Sequence, residues 1–233
     1  MAYRGTMDST AEYIVLPNAT DVAARTAEMV AGEIDTTDGL LLGLAGGSTP
    51  KTTYSMLADM PIDWRGVTTW MTDERWVAPT EPDSNQAMVR ESLHTGGRIR
   101  FLAPNTRLRL PEAAAARMAR TLGCISNGPH TRMVTMLGLG DDGHTASLFP
   151  GTEALAVDDR SYVANWVPQH DTWRLTASYP ALAMSDVVVF LVAGENKADA
   201  VAEIAGGGDL PAGHVQAKER VIWLLDEAAA SGL

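Results

Sequence analysis

Leu40-Leu41-Leu42-Gly43-Leu44-Ala45-Gly46-Gly47-Ser48-Thr49-Pro50 is the stretch from which the fold can be read. Leu40–Ala45 is almost wholly apolar, the pattern of a strand covered on both faces. Two glycines break the run, and Pro50 suits the first turn of a helix continuing through Tyr54, Met56 and Leu57. A buried strand turning sharply into a helix is half of a βαβ unit.

The same alternation extends in both directions. Tyr13–Leu16 reads as a strand, and Thr20 can cap a helix with Val22, Ala23, Met29 and Val30 on its apolar side. Further on, Val67–Met71 reads as a strand and Gln86–Leu93 as a helix. Pro111 starts an Ala-rich helix to about Leu122, and Met133–Leu137 is a strand feeding the turn Gly138–Gly143. Val187–Val192 and Val221–Leu225 are later strands, followed by the helical stretches Lys197–Ala205 and Asp226–Ala230. Trp76–Asn85 and Pro150–Thr172, rich in Pro, Asp and turn residues, read as long loops. The pattern predicts an α/β fold: an open, largely parallel sheet flanked by helices on both faces. No linker, low-complexity tract or repeat divides the chain, so residues 1–233 are expected to form a single domain.

Composition excludes several classes of function. The chain carries 18 Lys and Arg against 29 Asp and Glu, a net charge of −11. An acidic chain with no basic block repels a phosphate backbone, so nucleic acid is not an expected partner. A site for an anion must then be assembled from a few Arg, Lys and backbone N–H groups. Cys124 is the single cysteine. It permits no intrachain disulfide, and its apolar flanks read as those of a small buried residue. Met1 to Thr10 has no apolar or Arg-rich leader character, and the longest apolar runs are strand length, so the expected setting is the cytoplasm, with no membrane partner.

Three turns concentrate polar and glycine residues where an open parallel sheet collects its ligands. In Gly43–Pro50 the paired Gly46 and Gly47 allow close approach of backbone, and Ser48, Thr49 and the helix N-terminus offer donors to an anion. Neither common nucleotide loop is present: Pro50 stands where a Walker sequence needs Gly, and Gly-x-Gly-x-x-Gly is absent. A tight turn needing glycine for its dihedrals explains the same residues. Thr72-Asp73-Glu74-Arg75-Trp76, with Pro82-Asp83-Ser84-Asn85 behind it, puts a carboxylate and a guanidinium close after a strand; a solvated charge cluster with Asp83 or Ser84 capping a helix is the plainer account. In Leu137–Gly151, a glycine-rich turn holds Asp141, Asp142 and His144. A His beside a carboxylate can act as general base, or can simply bond to backbone. The other histidines (His94, His130, His170, His214) are scattered, and no metal site is indicated.

Taken together, these segments resemble the 6-phosphogluconolactonase family, within the wider group that includes the glucosamine-6-phosphate deaminases. The resemblance covers Gly-Gly-Ser-Thr-Pro (46–50), Asp-Glu-Arg-Trp-Val (73–77) with Ser84-Asn85, and Asp-Gly-His-Thr-Ala-Ser-Leu-Phe-Pro-Gly (142–151). It continues through Arg174 with Leu175–Pro180, Gly194–Ala198 and Trp223–Ala229, nearly the whole chain in order. Only Leu210–Lys218, with His214, fits loosely, and no function attaches to it. The deaminases carry Asn-Glu-Pro after the Asp-Gly-His, with the Glu taking part in ring opening. Here the stretch is Ser147-Leu148-Phe149-Pro150, which makes a deaminase-like sugar-phosphate isomerase the alternative rather than the first reading.

The resemblance implies hydrolysis of 6-phospho-D-glucono-1,5-lactone to 6-phosphogluconate in the oxidative pentose phosphate pathway. Such a reaction needs a base for water, donors for an oxyanion and a proton for the departing ring oxygen. His144 is the expected base and later the acid, with Asp142 as its partner and Asp141 the alternative. Gly46 and Gly47 would supply backbone N–H groups, beside Ser48 and Thr49. Arg75 and Lys197 are the candidates for the 6-phosphate, with Arg174 nearby; Asp73 and Asn85 would bind hydroxyls or position the loop. No metal or organic cofactor is expected. The expected partner is a small sugar-phosphate lactone, and the oligomeric state stays open, a monomer included. A sugar-phosphate sensor would need a DNA-binding unit, and about a dozen residues before the first strand leave no room for one.

Overall fold

The computed structural model describes residues 11–93, 99–126 and 132–233. Within them the chain runs β1 (Glu12–Leu16), α1 (Ala19–Asp35), β2 (Leu40–Leu44), α2 (Ser48–Asp59), β3 (Val67–Met71), β4 (Asp73–Arg75), α3 (Asn85–Ser92), β5 (Arg100–Leu102) and α4 (Pro111–Ser126). It continues with β6 (Arg132–Leu137), β7 (Tyr162–Val167), β8 (Thr172–Ala177), α5 (Tyr179–Leu182), β9 (Val187–Val192), α6 (Ala198–Ala205) and β10 (Arg220–Asp226). His94, His130 and Met1 to Thr10 lie outside the described residues.

Seven strands form one sheet in the order β1-β10-β9-β6-β2-β3-β5, every pair parallel. The alternation of side chains across a strand explains why both faces are apolar. Leu40, Leu42 and Leu44 join Val30, Tyr54, Leu57 and Val89 in a core on the side of α1, α2 and α3. Leu41, Met133, Leu137, Phe190 and Trp223 face the other side, against Met118 and Leu122 of α4 and Val201 of α6. Each leucine so buried contributes about 1.5–3 kcal/mol. Phe190 and Trp223 stack across β9 and β10 at 3.8 Å.

At the amino edge of the sheet, Arg132 opens β6 and binds two carboxylates from other elements. Its Nε donates to Glu33 of α1 at 2.5 Å and its Nη1 to Glu219, just before β10, at 2.7 Å.

A second, antiparallel sheet of order β4-β8-β7 was not expected from the sequence. Thr172–Ala177 and Tyr162–Val167 form its hairpin, so Pro150–Thr172 is only partly the loop it reads as. The turn residues at both ends of Tyr162–Val167 hide a strand six residues long. Asp73–Arg75 likewise continues from β3 as a strand rather than a turn. Thr72 joins them, its N–H donating to Leu44 O in one sheet and its carbonyl accepting from Ala177 N in the other.

Three smaller expectations also change. Asn18, not Thr20, caps α1, its side chain accepting from the N–H groups of Thr20 and Asp21. Asp226 closes β10 and residues 227–230 are turns rather than a helix, with the Asp226 carboxylate accepting from Ala229 N and Gly194 N. Cys124 is exposed, since the buried stripe of α4 runs through Ala114, Ala115, Met118, Leu122 and Ile125 and leaves position 124 outside it.

From β2 the chain moves through β3 to β5, whereas from β6 it moves the other way through β9 to β10. The strand order thus reverses between the neighbours β2 and β6. A crevice opens beyond the carboxyl ends of two strands whose connections diverge. The turn Ala45–Gly47 leaves β2 at that point, and Gly138–His144 leaves β6.

Candidate active site

The turn after β6 is built around one carboxylate. Asp142 Oδ1 accepts from the His144 backbone N–H at 3.1 Å and lies 2.6 Å from His144 Nδ1. Gly140 N donates to His144 O at 2.8 Å and Gly143 N to Gly140 O at 3.1 Å, closing the turn. A side chain at 140 would strike the imidazole, because a Cβ there would stand 2.0 Å from Nδ1. Gly143 has φ 77°, a conformation that glycine adopts without penalty. A carboxylate oxygen only accepts, so Nδ1 carries the hydrogen and Nε2 keeps a lone pair for a proton. The His144 side chain is 27% exposed, enough for a ligand to reach it.

Asp141 turns away from this pair. Lys197 Nζ and Asn196 Nδ2 both donate to its Oδ1, and they hold its carboxyl below the usual aspartate range. The geometry therefore gives Asp142 to His144 and Asp141 to Lys197. It brings Lys197, at the turn after β9, to the same crevice, with its ammonium already paired.

Buried polar groups tie the other two turns to this one. Asp73 Oδ2 accepts from Ser147 Oγ at 2.8 Å, and Asp73 Oδ1 from Asn85 Nδ2 at 3.1 Å. Asn85 lies against Gly46, where a Cβ would meet its Oδ1 at 2.1 Å. The close approach that Gly46 permits is to Asn85, whereas Gly47 is required by its φ of 115°. Gly47 also opens α2, so the first N–H groups of that helix, at Ser48 and Thr49, have no carbonyl within the helix to reach. Asp73 and Asn85 are nearly inaccessible and bonded to each other, which makes them the frame of the crevice rather than its lining.

Glu74 has a role that no motif in the sequence signals. It is fully buried, and its carboxylate accepts from the N–H groups of Arg75, Asn85 and Gln86 at 2.7–2.8 Å and from Ser84 Oγ at 3.2 Å. It seats the first turn of α3, while Ser84 Oγ accepts from Ala87 N as the N-cap. Burial pushes the Glu74 carboxyl up, against the pull of those three N–H groups.

Arg75 and Arg174 are direct partners across β4 and β8, so their side chains leave the same face of the small sheet. Arg75 Nη1 donates to Asp83 O at 2.7 Å, but the Nε of each guanidinium is buried without a partner. Burial, and next to it the Arg75 charge, hold Arg174 below the ordinary arginine range. Two like charges side by side make this face of the small sheet strongly cationic, the character that favours an anion. Among the described residues no group of His, Cys, Asp and Glu is arranged to hold a metal ion, and no helix is long and apolar enough to cross a membrane.

These features define a doubly wound α/β protein whose site lies at the switch point of its sheet, with a histidine–carboxylate pair and a cationic wall. The chain belongs to the family of glucosamine-6-phosphate isomerases and 6-phosphogluconolactonases, which it matches over residues 17–223. It is 35% identical to the 6-phosphogluconolactonase of Nostoc sp., over 94% of this chain and 97% of that one. The 6-phosphogluconolactonase of Synechocystis sp. is 37% identical, over 82% of this chain and 84% of its own. Among solved structures, the 6-phosphogluconolactonase of Trypanosoma brucei superposes with a TM-score of 0.83 at 27% identity, covering 97% of this chain and 100% of that one.

Proposed function

We propose that the protein hydrolyses 6-phospho-D-glucono-1,5-lactone to 6-phosphogluconate, with His144 as base and acid. The observation that carries this reading is the 2.6 Å contact of His144 Nδ1 with Asp142, which leaves Nε2 as the acceptor at the switch-point crevice. Its near relatives bear the same activity in their names.

Water attacks the lactone carbonyl carbon while Nε2 takes its proton, and Asp142 balances the imidazolium that forms. The carbonyl oxygen becomes an oxyanion within reach of N–H groups of the Gly46–Thr49 turn. Collapse of the tetrahedral intermediate breaks the bond from the carbonyl carbon to the ring oxygen, which receives the proton from Nε2. The 6-phosphate rests on Arg75 and Arg174, and their adjacent charges on one face of the small sheet support this placement. Lys197 joins them only by leaving Asp141. No metal or organic cofactor enters these steps, because the lactone carbonyl is already activated and water is the nucleophile. Neither nucleic acid nor membrane has a part in them; a phosphorylated lactone does not cross membranes and is hydrolysed where it forms, which supports a cytoplasmic setting.

The stretch that would carry a deaminase's ring-opening carboxylate holds Phe149 instead, stacked on His144 at 3.9 Å. The test is a lactonase rate, corrected for spontaneous hydrolysis, on wild type and His144→Ala. Equal rates in the two proteins would refute the reading.

A further inference from the structure

The segment Leu210–Lys218 has no part in the reading above, yet it presses on the catalytic turn. Ala212 N donates to Gly143 O at 3.0 Å. The Leu210 side chain fills the space above the Gly143 α-carbon, where a Cβ would lie 2.7–3.0 Å from its carbons. Gly143 is thus held from its carbonyl side and its α-carbon side by one short stretch, and it stands between Asp142 and His144.

That stretch is itself anchored at both ends. Tyr179 Oη, at the start of α5 directly beyond β8, donates to Pro211 O at 2.9 Å. His214 Nε2 lies 2.6 Å from Asp209 Oδ1, and the Tyr179 ring meets the His214 ring edge-on at 6.2 Å. Gly208 N is fastened to Glu203 O of α6 at 2.8 Å. The turn from 209 to 214 therefore links the end of β8, the strand of Arg174, to the peptide that sets the direction of His144.

We propose that residues 209–214 are a strap that positions His144, with Leu210 and Tyr179 as positioning residues. The proposal rests on His144 being the base. A glycine of positive φ between two functional residues can swing its peptide, and a shift of about 1 Å at a reacting group can cost two orders of magnitude in rate. Leu210 and Ala212 remove that freedom through their contacts with Gly143.

The experiment compares wild type, Leu210→Ala, Leu210→Met and Tyr179→Phe. It combines steady-state lactone hydrolysis with NMR of the 15N-labelled His144 ring, assigned by its loss in His144→Ala. In wild type the ring nitrogens should report the single Nδ1-protonated tautomer. In Leu210→Ala the signals should average between tautomers, and kcat should fall about tenfold with KM within about twofold. The volume-conserving Leu210→Met should restore both. Tyr179→Phe, which removes one hydroxyl and keeps the ring, should move both readouts in the same direction by less. Wild-type ring signals and kcat in Leu210→Ala and Tyr179→Phe would overturn the strap. So would a loss of activity that merely follows the unfolded fraction. Ring signals that respond in a protein lacking lactonase activity would keep the strap and discard the reaction.

Discussion

The imidazole of His144 lies on the phenyl ring of Phe149, their centroids 3.9 Å apart and their planes 23° from parallel. Phe149 is nearly inaccessible, and the ring of His170 closes on it edge-on at 5.3 Å. His144 is therefore held on one edge by Asp142 and on one face by a buried aromatic. Two constraints at right angles leave Nε2 one direction in which to point.

His144→Ala should lower kcat by about 10²–10⁴-fold, the usual cost of losing a general base, while a non-hydrolysed substrate analogue still binds. Asp142→Asn should lower kcat without changing KM, because an amide no longer selects the Nδ1-protonated tautomer. Rates above the spontaneous background and analogue titrations check both. Near-wild-type turnover in His144→Ala would make His144 structural.

Arg174→Met should raise the melting temperature by about 1–3 °C, since burial and then Arg75 disfavour its charge by more than Asp73, Glu74 and Asp83 favour it. The same change should raise KM more than it lowers kcat, and Arg75→Ala should do likewise to the kinetics. The phosphate keeps its charge from ground state to transition state, so it contributes uniform binding. Both variants should erode the preference for the phosphorylated lactone over plain gluconolactone. Lys197→Ala should show the same KM rise only if the ammonium leaves Asp141 for the substrate. An unchanged preference in both arginine variants would place the phosphate elsewhere.

Glu74→Gln should destabilise the protein by about 1–3 kcal/mol at acid pH, because an NH₂ group then faces backbone donors at the start of α3. The loss should shrink as pH rises. Burial raises the Glu74 carboxyl above the ordinary value of 4.5, so its proton is held more tightly in the folded chain. Stability from such a group is complete below the ordinary value and falls away as pH rises through the raised one. Denaturant titrations from pH 4.5 upward check the sign. A gap that widens with pH would mean that the three N–H groups outweigh burial.

Arg132→Met should lower stability by about 1–2 kcal/mol and leave kcat and KM unchanged. The guanidinium joins α1, β6 and the start of β10 at the edge of the sheet opposite the crevice. Calorimetry beside kinetics would show it. A kinetic effect larger than twofold would reveal coupling along β6.

The long parallel strands were legible because burial on both faces leaves a continuous apolar run: Val67–Met71 and Val187–Val192 match to the residue. β7 was not, because its six residues sit between turn-rich segments and mix buried positions with the exposed Trp166. β4 was hidden by its three charged residues, which look like a turn until β8 pairs with them. The dyad was readable since Asp142 and His144 are two apart in one turn. Glu74 was not, because three of its four partners lie ten to twelve residues on and three of the four are backbone N–H groups, which carry no motif. Leu210 leaves no signal for the same reason: it acts on Gly143 by contact alone. Asp226–Ala230 reads as a helix on the propensity of its alanines, whereas Asp226 ends β10 and its carboxylate holds Ala229 N in a turn.

The neighbours β2 and β6 lie roughly ninety residues apart in sequence, Leu40 pairing with Arg132. Closing a loop of that length costs an entropy equivalent to about 4 kcal/mol, before the pairing returns anything. Helices and local turns do not wait for that closure, but the crevice cannot exist without it. Non-local pairing of this kind makes folding slow. On dilution from denaturant, helical circular dichroism should return first, and lactone hydrolysis only with the final phase, when the two halves of the chain meet.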